Sequence, residues 1–172
     1  AETREKIINS LTPYAETLPL QRKFMFQRYR VVDVAHRVVG VGSVGLRAYL
    51  VMLLGNDEHD PLFLQVKEAI PSALAPYTPT LPQRLSHQGT RVVVGQRIVQ
   101  ATTDVLLGWT TIDERPFYVR QMKNMKGSIP IEWLKGSAFL MYARACGTLL
   151  AKAHARSGDI AKIAGYCRTS ET

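Results

Sequence analysis

Three glycines, Gly40, Gly42 and Gly45, interrupt a run of aliphatic residues, and this interruption constrains the chain more than any other feature. Before them stand Val31, Val32, Val34, Val38 and Val39, a β-branched texture that predicts a strand from about Tyr29. After them Leu46 to Leu54 resumes as a second strand. The polar turn Gly55-Asn56-Asp57-Glu58-His59-Asp60-Pro61 then leads into a third, Leu62 to Lys67. The short connections predict antiparallel neighbours.

The spacing Gly40-x-Gly42-x-x-Gly45 is shared by three mechanisms. A dinucleotide-binding turn needs a helix directly after the last glycine, because the helix N-terminus receives the pyrophosphate. Here Leu46-Arg47-Ala48-Tyr49-Leu50-Val51 reads as a strand, and no capping residue precedes it. A Walker-type loop ends in Gly-Lys-Ser/Thr, which is missing. The third option is a hairpin whose glycine turn covers phosphates while a lysine in the following strand reaches the α- and β-phosphates. That option alone requires strand, glycines, strand, turn and a strand carrying a lysine, which is the order found.

The lysine is Lys67. If it points inward from its apolar strand it loses hydration and needs an anion; if it shares the alternation of Gln65 it faces water. Glu68 is its neighbour and should point the other way.

The rest of the chain supplies packing elements. Residues 2–18 predict an amphipathic helix with Ile7, Ile8, Leu11, Ala15 and Leu18 on one face, and Pro13 as a point where it can split. Pro19 suits the first turn of a short second helix in which Leu20, Phe24 and Gln27 share a face. Residues 71–85 hold four prolines and read as irregular surface chain. Ser86 is a candidate cap for a helix to about Thr103, with Val92, Val99 and Thr103 toward the core and Gly95 allowing close packing on the sheet. Strands follow at Val105 to Ile112 and Phe117 to Met122, joined by Asp113-Glu114-Arg115-Pro116. Helices come last, from about Ile131 to Arg156 and from Asp159 to Cys167, the latter capped by Ser157 or Asp159. The expected class is α+β, with a five-stranded, mostly antiparallel sheet, a packed helix and flanking N- and C-terminal helices. The expected segments are a helical 1–30, a nucleotide-binding 31–128 and a helical 129–172 leading into a missing or partial second lobe.

At 172 residues and 46% hydrophobic, the chain suffices for one core. The net charge of +8 favours an anionic partner without choosing between a nucleotide, a nucleic acid and an acidic protein. No apolar run approaches bilayer length, so no membrane partner is expected. The N-terminus has no signal-peptide layout, and Cys146 and Cys167 lack metal-type or redox-type spacing, which suits a reducing cytoplasm. His36, His59 and His87 show no ligand spacing, so no protein-held metal is expected. Trp109 and Trp133 read as packing aromatics, and His154 as a structural hydrogen-bonder. The chain begins without Met and ends on Arg168-Thr169-Ser170-Glu171-Thr172 without a closing element, and it reads as a piece of something longer.

Several stretches resemble a bacterial domain-of-unknown-function family, number twenty-two fifty-two. They are Val39 to Gly45, Phe63-Leu64-Gln65-Val66-Lys67-Glu68-Ala69, His87-Gln88-Gly89 with Arg91-Val92-Val93 and Gly95-Gln96-Arg97, Asp104 to Trp109, Tyr118-Val119-Arg120-Gln121, and Ala153 to Asp159. The resemblance covers most of residues 31–165. That family is grouped with protein-kinase-like and aminoglycoside-phosphotransferase-like proteins, so the resemblance implies the small lobe of such a fold, binding ATP and magnesium. It implies nucleotide-binding roles for Gly40, Gly42, Ser43, Gly45, Lys67 and Gln121, the last opening a hinge segment that runs to Asn124 and reads adenine through its backbone.

Two departures follow from the same resemblance. A kinase helix supplies a glutamate to the lysine, and residues 86–103 contain no Asp or Glu. Gln96, Gln100 or Asp104 would substitute as lysine partner, and Arg91 with Gln96 and Arg97 would line a phosphate site or face water. Kinase chemistry also needs a catalytic aspartate with a following asparagine and a second, metal-binding aspartate. His154 to Asp159 superficially resembles the first, yet no Asn follows it, so no catalytic residue is assigned in this chain. Longer members of the family carry such motifs in a segment before this region. The expected function is therefore the ATP-binding portion of a phosphotransferase with an unknown acceptor, its catalytic residues on the remaining segment of a longer chain. The alternatives are a non-catalytic protein-binding module of kinase-like shape and, less favoured, a basic nucleic-acid-binding domain.

Overall fold

A computed structural model of the chain describes residues 2–37, 45–78, 85–122 and 127–168. The fold is α+β. Its five strands are β1 (Arg30–His36), β2 (Ala48–Leu54), β3 (Pro61–Glu68), β4 (Gly108–Ile112) and β5 (Arg115–Gln121), and its helices are α1 (Glu2–Glu16), α2 (Leu20–Phe26), α3 (Gln88–Val99), α4 (Gly136–Ser157) and α5 (Ile160–Arg168). The strands form one open sheet in the order β1-β2-β3-β5-β4, every pairing antiparallel. By Cα proximity the chain divides into a unit of residues 1–94 and 104–124, which holds the sheet, and a unit of residues 95–103 and 125–172.

In the first unit, α1 lies on one face of the sheet because Ile7, Leu11, Tyr14 and Ala15 recur at helical spacing and are all buried. They meet Tyr49, Val51 and Leu53 of β2, Leu62, Leu64 and Val66 of β3, and Phe117 and Val119 of β5. The helix runs unbroken through Pro13. Proline cannot donate to the carbonyl of Asn9, but both residues are exposed, so that carbonyl is free to bond water and the helix continues. The second helix buries Phe26, whose ring meets Tyr14 edge-on at 5.3 Å, while Leu20 and Phe24 lie outward.

Polar groups on α1 tie it to the chain around the edge strand β4. The Tyr14 hydroxyl donates to the Leu106 carbonyl at 2.6 Å, Thr110 Oγ1 donates to the Ser10 carbonyl at 2.7 Å, and Trp109 N–H donates to Thr17 Oγ1 at 3.1 Å. On the opposite edge, the register of β1 against β2 slips between Val31 and Asp33, a β-bulge, and Arg4 Nη2 donates to the Val32 carbonyl at 3.0 Å. Between β4 and β5 the turn is two residues, Asp113 and Glu114, both with positive φ (48° and 60°). This backbone matches sheet twist but costs a residue such as Glu114 about 1–2 kcal/mol. Asp113 also forms a 3.0 Å ion pair with Lys6.

The third helix starts and ends inside the expected 86–103. Its cap is not Ser86: His87 Nδ1 accepts the Thr90 N–H at 3.2 Å, the bond that Ser86 was expected to make one residue earlier. Burial lowers the His87 pKa and outweighs an opposing hydrogen bond with the Thr110 backbone, which favours the uncharged ring that Nδ1 needs in order to accept. The buried positions are Gly89 and Val93, not Val92, Val99 and Thr103, because the helix packs through the face on which Gly89 meets the Phe117 backbone. A methyl on Gly89 would collide with the Phe117 carbonyl, whereas one on Gly95 would meet open space, so the close approach belongs to Gly89.

In the second unit, the chain makes a 3₁₀ turn over Ile131–Trp133 before α4, so the long helix begins five residues later than expected. Asp159 caps α5, its Oδ1 accepting the N–H groups of Ala161 (3.0 Å) and Lys162 (3.2 Å).

Replacing Tyr14 by Phe keeps the ring and strands a buried carbonyl at Leu106. The expected cost is about 1–3 kcal/mol, read as a lower urea midpoint at unchanged slope.

Candidate functional site

The alternation of β3 sorts its side chains onto two faces. Leu62, Leu64 and Val66 belong to the α1-side core, so Phe63, Gln65 and Lys67 point to the opposite face. Directly across from Lys67 stand Ala48 on β2 and Tyr118 on β5; across from Gln65 stand Leu50 and Arg120. The face is therefore apolar at Leu50, Met52 and Phe63 and cationic at Lys67 and Arg120.

Lys67 is half-buried, and its Nζ lies 5.9 Å from the centre of the Tyr118 ring. That is the outer range of a cation–π contact. Among the described residues no carboxylate pairs with it. Arg120 Nε donates to Gln65 Oε1 at 3.4 Å, and Arg37 Nη1 reaches Met122 Sδ at 3.2 Å, next along the same side of β5.

Glu68 points away from Lys67, as alternation requires, and its side chain is only 7% exposed. Its Oε2 accepts the Arg47 N–H at 3.0 Å and its Oε1 accepts Arg115 Nη1 at 2.9 Å. The backbone adds Glu68 N–H to the Arg47 carbonyl at 2.9 Å. Glu68 thus clamps Arg47, which leads from the glycine stretch into β2, to Arg115 at the start of β5. Burial alone would raise its pKa, but the Arg47 N–H and the Arg115 guanidinium outweigh it and hold the carboxyl below the ordinary glutamate value.

Gly40, Gly42 and Ser43 lie outside the described residues, as do Lys123 and Asn124 of the expected hinge. Gly45 is described and has φ +85°, a conformation that excludes most side chains, with open space where a Cβ would go. Its glycine is needed for the backbone and not for packing. Gln121 ends β5 opposite Leu64, its N–H donating to Asp104 Oδ2 at 2.7 Å. Asp104 Oδ1 accepts the Leu106 N–H at 2.8 Å, so this carboxylate joins the approach to β4 to the end of β5. Arg91 Nη2 donates to the Ile70 carbonyl at 2.9 Å and its Nε to Gln88 Oε1 at 2.6 Å, anchoring α3 to the chain after β3. Gln96, half-exposed on α3, and Gln100, exposed just past it, belong to the second unit.

A family described as an uncharacterized protein conserved in bacteria, domain of unknown function 2252, matches residues 1–172. The chain belongs to that family. No curated protein and no solved structure matches it. In this member of domain of unknown function 2252, no group of three or more His, Cys, Asp or Glu among the described residues is arranged to hold a metal ion. No helix among them is long and apolar enough to cross a membrane.

Sequence reasoning did not single out Glu68, Tyr118 or Arg120 as parts of the site. Tyr118 and Arg120 could have been found from β5 alternation once the β3–β5 register was fixed. Glu68 could not, because its partners Arg47 and Arg115 are 21 and 47 positions away.

Because the folded pKa of Glu68 is depressed, its stabilisation is complete above the ordinary glutamate pKa and is lost as pH falls through the lower folded value. Glu68→Gln should therefore flatten the acid limb of the melting temperature against pH. An acid limb identical to that of the parent protein would rule the clamp out as its source.

Proposed function

We propose that this chain is the ATP-gripping portion of a kinase-like phosphotransferase, with the transfer step carried by residues outside this sequence. The observation that carries the reading is Lys67: a half-buried lysine without a carboxylate partner among the described residues, on an apolar strand, directly across from Ala48 where the chain enters β2 after the glycine stretch. Such a cation gains most from a ligand that brings its own negative charge. The order hairpin, lysine strand, helix, two strands supports the same reading.

In this reading the glycine turn, including Gly40, Gly42, Ser43 and Gly45, lies over the phosphates and offers backbone N–H groups. Lys67 pairs with the α- and β-phosphates, Tyr118 holds the lysine stem in place, and Arg120 adds positive potential to the face. Leu50, Met52 and Phe63 give the adenine an apolar wall, with the backbone at Gln121 opening the hinge. Magnesium would travel with the nucleotide, since phosphate oxygens and water suffice to carry it in. Asp104 and Arg91 are engaged with the backbone and act here as supports.

A second reading, a protein-binding module of kinase-like shape, draws on α3, which carries neither Asp nor Glu to pair with Lys67.

Titration of Mg-ATP against the protein and its Lys67→Ala form distinguishes the two. The nucleotide reading expects at least about tenfold weaker binding in the variant, the equivalent of one charge-assisted contact. Tyr118→Leu should weaken binding less, and Tyr118→Phe hardly at all, because the ring face and not the hydroxyl meets Lys67. Equal affinity in the parent and Lys67→Ala would end the role of Lys67. Absence of nucleotide binding in the parent would favour the module.

A further inference from the structure

In the second unit, neither α4 nor α5 has a buried residue, although both are amphipathic. On α4, Phe139, Tyr142, Cys146, Leu149, Leu150 and Ala153 recur at helical spacing and form one apolar stripe. Leu149 is 66% exposed and Leu150 60%, and nearby Leu140 and Met141 reach 68% and 70%. An apolar surface of this extent marks an interaction site.

A different face of α4, sharing only Leu150 with that stripe, is open as well: Ile160 and Ile163 of α5, which line it, are 64% and 38% exposed. Between α4 and α5 runs a groove of about 730 Å³. Gly147, Ala151 and Ala155, spaced by four on α4, line it together with Ala164 of α5, and Leu150 and Ile163 are among its apolar walls. Small side chains let another backbone come close, so the groove suits a convex rod such as a helix better than a flat bilayer.

Its charge indicates the partner's chemistry. From Gly136 to Arg168 the only acidic residue is Asp159, between the two helices, and its carboxylate already caps α5 and faces Lys162. Arg144, Lys152, Arg156, Lys162 and Arg168 make the two helices strongly basic, with Lys152 on the groove itself, while Lys162 lies 3.9 Å from Asp159 and Arg156 donates to the Val99 carbonyl at 3.4 Å. A second copy would bring like charge to like charge, which disfavours self-association.

We propose that the α4–α5 groove receives an amphipathic helix whose apolar ridge is flanked by Asp and Glu. The ridge seats on the small-residue floor, and the carboxylates meet Lys152 and the neighbouring basic residues.

The test uses the full chain and two synthetic helical peptides that share one Leu/Ala ridge, one flanked by Glu and the other by Lys, followed by fluorescence anisotropy. The Glu peptide should bind at least about tenfold more tightly than its Lys twin, and more weakly as salt rises. Ala151→Leu, which fills the floor, and Leu150→Glu, which reverses the wall, should each cost at least about tenfold. Both positions are exposed, and circular dichroism checks that the helices persist. The proposal is overturned by equal binding of the two peptides, by no binding of the Glu peptide, or by indifference to both substitutions. It is also overturned if the chain binds phosphatidylglycerol vesicles that the Glu peptide fails to compete away, or forms a dimer that Leu150→Glu dissolves.

Discussion

The alternation of β3 is the constraint on which the first unit depends. A strand turns successive side chains to opposite faces, so burying Leu62, Leu64 and Val66 against α1 leaves no choice for Phe63, Gln65 and Lys67. A slip of one residue would drive Lys67 into the apolar core and push three aliphatic side chains out of it. The hydrophobic term that builds the core thereby also fixes the face on which the lysine stands. Lys67 and Glu68 are sequence neighbours of opposite charge, yet alternation gives them separate tasks. One is left without an anion among the described residues, and the other is spent on holding the entry to β2.

Much of the fold could be read from residue order. A β-branched run for β1 and apolar runs between polar, glycine and proline turns marked the strands, though β4 starts at Gly108 and not Val105, and the helical spacing of Ile7, Leu11 and Ala15 marked α1, because these signals are local. Where reading and structure differ, the deciding partner is distant or chemically unusual. Ser86 has the side chain of a common cap, but the ring of His87 reaches the Thr90 N–H, and it is Val93 instead of Val92 that packs inward. Pro13 signals a break only if the carbonyl it abandons is buried, and the exposure of Asn9 is a tertiary fact. Gly95 and Gly89 look alike in sequence; only the position of the Phe117 carbonyl separates them.

The candidate site was legible in part for the same reason. The strand that carries Lys67 and its place after the glycine stretch follow from local texture. The face it occupies does not, since inward and outward alternations fit the same residues until the core is known. Asp104 reads as a substitute partner for the lysine and Arg91 as a phosphate contact or a water-facing residue, whereas each is bonded to backbone in the first unit, Arg91 to Ile70 and Asp104 to Leu106 and Gln121. Backbone partners leave no trace in side-chain composition, and a scan of residue types passes over them.

The bulge in β1 has a consequence for how the protein behaves at high concentration. An open sheet ends in strands whose outward N–H and C=O groups can template another chain, and β1 is such an edge. The slip between Val31 and Asp33 breaks the even row of groups that a second strand would need. Arg4 covers the exposed Val32 carbonyl and brings a positive charge to the same place. A valine-rich edge that would otherwise invite fibril-like growth is thereby irregular, partly occupied and charged, and among the described residues the sheet ends at β1.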